Sequence, residues 1–226
     1  MSLIVLEGLD GAGKSTQVNK IKGVLEERGR EYEYLHFPRF DAPVYGDLVA
    51  RFLRGEFGAV KAVHPCLVAL IYAGDRRLAA DMIRGWLGEG KVVLVDRYVI
   101  SNIAYQCAKL PDPGLCSDLR QWILELEYGM NGIPRPDVSL FLDVPFSFTK
   151  EKLSETREGD DRDYLQGKKD IHEASLTLQK TVRGVYVAEA EKDPTFHVVD
   201  CSDADGNMLA PDETFKKIYK IIEPFI

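Results

Sequence analysis

Leu3-Ile4-Val5-Leu6, followed at once by Glu7-Gly8-Leu9-Asp10-Gly11-Ala12-Gly13-Lys14-Ser15-Thr16, is the stretch that decides the fold. Four consecutive apolar residues are what a strand covered on both faces of a parallel sheet requires. From about Ser15 to Arg28, Val18, Ile21 and Leu25 recur at helical spacing, and Gly29 stops the helix. The turn between them reads G-x-x-x-x-G-K-[ST], in the strand-before, helix-after context that a phosphate-binding loop needs. Its glycines let successive backbone N–H groups converge on one anion. The helix start near Lys14 adds a positive end. The Lys14 ammonium is placed to reach the outer phosphates, and the Ser15 hydroxyl is a natural Mg²⁺ ligand. Gly8, Asp10, Gly11, Ala12, Gly13, Lys14, Ser15 and Thr16 are therefore the candidate ATP-binding set.

Outward from this loop, strand-like and helix-like segments alternate. Tyr32 to Phe37 reads as a second strand ended by Pro38, Val92 to Val95 as a third ending on Asp96, Val138 to Leu142 as a fourth and Phe196 to Val199 as a fifth. Helices are expected over Val44–Arg54, Pro65 to about Leu87, Ser101–Ala108, Ser117–Tyr128, Phe146 to about Arg157, Ile171–Lys192 and Thr214–Ile222. The prediction is an α/β P-loop NTPase, a five-stranded parallel sheet with helices on both faces. No fixed-period repeat or Pro/Ser-rich linker divides the 226 residues, so one domain over 1–226 is expected.

Composition narrows the class. Apolar residues at 45% and charged residues at 29% are those of a globular protein. A formal charge of −7 argues against a chain whose whole surface binds nucleic acid or an anionic membrane. Four cysteines without a CxxC pair, no basic segment ahead of the first strand and no run of about 20 apolar residues point to a cytoplasmic protein with no membrane span.

A loop of this kind needs an acidic partner at a neighbouring strand end, and Asp96 is chosen because Arg97 follows it directly. Asp10 is the odd residue. A carboxylate about 4 Å from a phosphate costs roughly 4 kcal/mol at an effective dielectric of 20, so it must point away, to a sugar hydroxyl of a second substrate or to an internal brace of the loop. Gly11 leaves Lys14 as the loop's only cation, so further arginine must come from elsewhere to meet the charge on a transferring phosphoryl group. A guanine-reading NKxD is missing, since Asn19-Lys20-Ile21-Lys22 lacks the Asp, and the DxxG match at Asp203–Gly206 is short enough to arise by chance. A small P-loop kinase remains.

Five blocks, in order, then resemble the thymidylate kinase family of nucleoside monophosphate kinases: Gly8 to Thr16, Phe37-Pro38-Arg39, Tyr72 to Arg76, Asp96-Arg97-Tyr98-Val99-Ile100-Ser101-Asn102-Ile103-Ala104-Tyr105, and Pro136-Asp137-Val138. The most specific is DRYxxSNxAY. The resemblance implies phosphorylation of dTMP to dTDP with ATP and Mg²⁺. It implies a dTMP-binding set of Asp10, Phe37, Arg39, Tyr72, Arg76, Arg97, Ser101, Asn102, Tyr105 and Gln106. Within it, Arg39 and Arg97 would contact the acceptor phosphate, Tyr72 would stack on the base, Arg76 would pair with thymine or phosphate oxygens, Asn102 would read the thymine edge and Tyr105 would crowd the sugar C2′. Ser15 and Asp96 would serve the metal. The polar, Gly-hinged insert at about 154–170 resembles the family's lid, and a chain with glycine at position 11 belongs to the type whose catalytic arginine comes from that lid, here Arg162 first and Arg157 second. Lys14 and Arg97 complete the catalytic set. The family is usually dimeric, so a homodimer is implied. Two other readings stand beside this one: a deoxynucleoside kinase acting on a hydroxyl, and a nucleotide-binding regulatory protein without turnover.

Overall fold

The first strand, β1 (Ser2–Gly8), is buried at every position, and the sheet is built around it. In the computed structural model, which describes residues 1–154, 160–167, 170–173 and 175–226, β2 (Tyr32–His36), β3 (Val92–Asp96), β4 (Val138–Asp143) and β5 (Phe196–Asp200) complete a sheet of order β2-β3-β1-β4-β5. Every pairing is parallel. The chain passes from β3 on one side of β1 to β4 on the other. Ligands of open α/β sheets bind in the crevice beyond the strand carboxyl ends where such a reversal occurs.

Strand periodicity divides the core between two faces. Leu3, Val5, Val93 and Val95 pack with Ala79 and Ile83 of α3 (Pro65–Gly88), Ile103 of α4 (Val99–Cys107) and Ile123 of α5 (Pro113–Leu124). Ile4, Leu6, Leu94 and Leu140 pack with Val18, Ile21 and Leu25 of α1 (Lys14–Glu27) and with Ile218 and Ile222 of α8 (Pro211–Ile222). Full burial of each such side chain is worth about 1.5–3 kcal/mol, which is why the apolar strands sit at the centre. The remaining helices are α2 (Tyr45–Leu53), α6 (Phe146–Ser154) and α7 (Leu176–Ala190).

Several helix boundaries differ from expectation, α8 for instance starting at Pro211 rather than Thr214, and three of the differences have a visible reason. α4 starts at Val99 rather than Ser101, because the Glu7 carboxylate accepts from the Tyr98 and Ser101 backbone N–H groups. α5 starts at Pro113, capped by Asp112 onto the Leu115 N–H, and ends in a π-helical turn over Glu125–Met130. α7 starts at Leu176, not Ile171, since Ile171–Glu173 forms a turn held by Asp170 accepting from the His172 N–H and by the Ile171 N–H donating to Leu53 O. The Ser175 side chain then caps α7.

Candidate active site

The phosphate loop needs left-handed backbone at two points, and glycine occupies both, Gly11 at φ 78° and Gly13 at φ 77°. Arg97, directly after β3, takes φ 67°, a conformation uncommon for a residue with a side chain and one that concentrates at functional sites. Glu7 holds this turn. It is fully buried and accepts from the backbone N–H groups of Tyr98 and Ser101, from Ser101 Oγ and from Tyr186 Oη on α7. Burial lifts its pKa above the ordinary carboxylate range, against the pull of Ser101 and Arg97.

Arg97 turns its guanidinium to Asp10, Nη2 to Oδ1 at 2.6 Å, and Nη1 lies 3.4 Å from Ser101 Oγ. Asp10 also accepts from Tyr105 Oη at 2.8 Å and from Gln179 Nε2 of α7 at 2.9 Å. Burial opposes the charge on Asp10, but Arg97 and Lys14 outweigh it and hold the carboxyl well below its usual range. Lys14 Nζ stands 3.4 Å from Leu9 O and 3.9 Å from Asp96 Oδ1. Burial and the neighbouring Arg97 lower the Lys14 pKa. Two cations share a water-poor space, an arrangement that a polyanionic phosphate chain relieves.

Asp96 is 3% exposed, and its Oδ1 has no hydrogen-bond partner among the described residues. Burial raises the pKa of this carboxyl, yet Lys14 and His36, whose Nδ1 lies 3.4 Å from Oδ2, bring it below the ordinary value. An ionised, buried, unsatisfied carboxylate oxygen beside the exposed Ser15 suits a hard divalent cation carried with nucleotide phosphates.

These groups open into one cleft of about 720 Å³. Asp10 to Thr16 line it, as do Arg97, Phe37, Tyr72, Arg76, Asn102, Tyr105 and Gln106. Arg76, 2% exposed, pairs through Nε and Nη2 with both oxygens of Glu127, which is fully buried in the π turn. Asn102 donates Nδ2 to Ala69 O and to Glu127 Oε1, each at 3.0 Å. Gln106 Oε1 accepts from Lys109 Nζ at 2.7 Å. Tyr164, in the short helix Asp160–Leu165, stacks on Phe40 with ring centroids 3.8 Å apart and donates to Asp170 Oδ2.

The family model described as Thymidylate kinase matches residues 6–208. A thymidylate kinase of Mycobacterium tuberculosis is 35% identical over 184 residues, covering 81% of this chain and 83% of the relative. A probable thymidylate kinase of Thermococcus kodakarensis is 34% identical over 203 residues, covering 87% and 88%. The chain belongs to the thymidylate kinase family. The solved structure of the Candida albicans thymidylate kinase superposes with a TM-score of 0.73 at 25% identity, over 99% of this chain and 92% of that one.

Most residues that the family resemblance singled out come together in the cleft. Lys14, Ser15, Asp96, Arg97, Phe37, Tyr72, Arg76, Ser101, Asn102, Tyr105 and Gln106 all line it. Arg39 is not among the lining residues. Its Nε and backbone N–H donate to Asp75, each at 2.8 Å, because a carboxylate that is 1% exposed demands a cationic partner. Asp10 is bonded within the protein, to Arg97, Tyr105 and Gln179. Arg157 lies outside the described residues. Arg162 falls within the helix Asp160–Leu165, and its side chain lies outside the described set.

Sequence reasoning missed Glu7, Glu127, Asp170, His172 and Gln179. Only Glu7 carried a local signal, an acidic residue closing an apolar strand beside the glycine loop. Glu127 reaches Arg76 from 51 positions away, and such pairing leaves no trace in local pattern.

Proposed function

We propose that the chain transfers the γ-phosphoryl group of ATP to the 5′-phosphate of dTMP, giving dTDP and ADP, a step of nucleotide biosynthesis. The observation that carries this reading is that the phosphate loop, Arg97 and the side chains of Tyr72, Asn102 and Tyr105 line one cleft.

The acceptor oxygen of dTMP is already anionic, so no strong general base is required, and catalysis rests on positioning and charge neutralisation. Residues Gly8 to Thr16 receive the ATP phosphates, with Lys14 on the outer ones. Arg97 clamps the acceptor phosphate through a planar fork suited to two oxygens. Arg39 joins it only by exchanging Asp75 for phosphate. Tyr72 and Phe37 offer flat faces to the base, stacking of this kind being worth about 1–3 kcal/mol. Arg76, Asn102 and Gln106 face its polar edge, and Tyr105, with Ser101 and Asp10, faces the sugar. Asp96 and Ser15 would hold Mg²⁺, which when bound neutralises charge on the phosphate oxygens. Arg162, or in second place Arg157, supplies the lid cation, and the lid insert at about 154–170 excludes the water that would otherwise take the phosphoryl group.

We read the chain as one domain over 1–226, active in the cytoplasm as a homodimer. An exposed stripe on α3, Leu67, Leu70, Leu78 and Met82, supports the second copy. Among the described residues no helix is long and apolar enough to cross a membrane.

Neither other reading gains support. A hydroxyl acceptor asks for a free carboxylate base beside the end of β2, where His36-Phe37-Pro38-Arg39 stands and Asp75 is already paired. The test is ADP release with ATP and Mg²⁺ in the presence of dTMP, thymidine or neither. Turnover strictly dependent on dTMP is expected. Turnover with thymidine while dTMP is inert, or nucleotide binding with no turnover at all, would overturn the reading.

A further inference from the structure

Cys107 closes α4, Cys116 stands in the first turn of α5, and the connection between them is a tight reversal. The Leu110 N–H donates to Cys107 O at 3.0 Å, Asp112 caps α5 through the Leu115 N–H, and the Cys116 N–H donates to Asp112 O at 3.1 Å. Cys107 Sγ consequently lies 3.4 Å from Cys116 O, and both side chains pack into the core that holds Ile103, Leu119 and Ile123. Cys107 is 3% exposed, whereas Cys116 is half-buried, so solvent reaches one thiol of the pair. Burial pushes the Cys107 thiol up, and the facing Cys116 thiol, hydrogen-bonded to it, pushes the same way. Neither sulfur has a part in phosphoryl transfer. Of the other two cysteines, Cys201 belongs to the core on the opposite face of the sheet, and Cys66, at the start of α3, flanks the same core as the pair.

We propose that Cys107 and Cys116 are a redox modification site, closed by a low-molecular-weight disulfide into an intramolecular disulfide that ties α4 to α5 and weakens binding in the cleft that α4 lines. The effect on dTMP rests on the dTMP reading of the cleft; the cross-link itself does not. Cys116, as thiolate, attacks one sulfur of the small disulfide RSSR, forming a mixed disulfide and expelling RS⁻, which takes up a proton. Cys107 then gives its proton to solvent and attacks the Cys116 sulfur. The intramolecular S–S bond forms as the second RS⁻ leaves and is protonated. Two electrons pass from the dithiol to RSSR, and two RSH are the only other products. Burial makes Cys107 a poor nucleophile toward a free oxidant, but beside Cys116 its attack is intramolecular, and proximity offsets the loss. Cytosolic thiol pairs that oxidise are usually transient sensors rather than structural links. The consequence follows from position. Cys107 comes directly after Tyr105 and Gln106, which line the cleft, and bringing the sulfurs to a bonding distance of about 2 Å moves the last turn of α4. In a positioned site a shift of about 1 Å is enough to cost up to about 10²-fold.

The test treats the reduced full chain with oxidised glutathione and follows free thiols, peptide masses and kinetics together. Two of the four thiols should be lost, with one pair of peptides joined through Cys107 and Cys116. KM for dTMP should rise about tenfold while KM for ATP stays the same, and dithiothreitol should reverse every change. Cys66→Ser should respond as the wild type does. Cys116→Ser, active when reduced, should keep its KM for dTMP after treatment. Retention of all four thiols, glutathione left on Cys116 as the end product, or a link through Cys66 would overturn the pairing, and the wild-type protein alone reads these outcomes. A closed link with dTMP kinetics unchanged would overturn its action on the cleft. Reduced protein inactive on dTMP would defeat the dTMP reading instead, a separate outcome, while the masses of the linked peptides still decide the pairing.

Discussion

Arg97 is held in left-handed backbone, a conformation that costs a non-glycine residue about 1–3 kcal/mol, and Glu7 supplies the compensation through the bonds that fasten the turn and the start of α4. The DRY segment was legible as motif, but the strain and its clamp were not, since φ is set by a partner 90 positions earlier in the chain. Asp170 carries a second cost. Burial and the nearby Asp10 push its carboxyl up to about 7 from its ordinary value of 3.8. The folded protein therefore holds a proton that the unfolded chain has released between about pH 4 and pH 7. Stability contributed at this position falls as pH rises through that window, and the full penalty is present above it. Asp170→Asn should accordingly stabilise the nucleotide-free protein more at pH 8 than at pH 5, by at most about 3 kcal/mol. Thermal melts at the two pH values read this directly, and a gap that narrows with rising pH would refute the assignment.

At the scale of elements, α4 sets out Ser101, Asn102 and Tyr105 so that one short helix lines the cleft at three positions. Its existence followed from the sequence. Its first turn did not, because a carboxylate from β1 replaces the usual capping side chain. The same limit hid the start of α7, where Asp170, acting on its own neighbours, makes a turn of residues whose apolar spacing suits a helix. The short helix Asp160–Leu165 sits at the cleft through Tyr164, stacked on Phe40, while Arg54 Nη1 donates to Tyr164 O at 2.7 Å. If this segment seals the site, Tyr164→Ala should reduce phosphoryl transfer to dTMP about tenfold and raise the share of ATP lost to water. Paired measurement of ADP and dTDP checks this. Unchanged coupling and rate would remove Tyr164 from the seal.

At the scale of the whole molecule, β1 and β3 were readable because Leu3–Leu6 and Val92–Val95 are uninterrupted apolar runs, the form that burial on two faces imposes, while β2, β4 and β5 were readable as short β-rich runs broken by a polar residue. Their order was not, since nothing within β3 or β4 states which flank of β1 it joins. That order matters. With β3 and β4 on opposite sides of β1, the phosphate loop lies next to Asp96 and Arg97, and all of them line a single cleft. The cleft is lined by Lys14 and Arg97 together with Phe37, Tyr72 and Asn102, and the chemistry we propose for it is that of the ATP triphosphate tail meeting the dTMP monophosphate between Lys14 and Arg97. The most direct measurement of that claim is inhibition by one molecule in which adenosine and thymidine are joined through a chain of phosphates. The account predicts that it competes with ATP and with dTMP alike, and binds more tightly than either. Competition against ATP alone, with dTMP still bound in its presence, would contradict it.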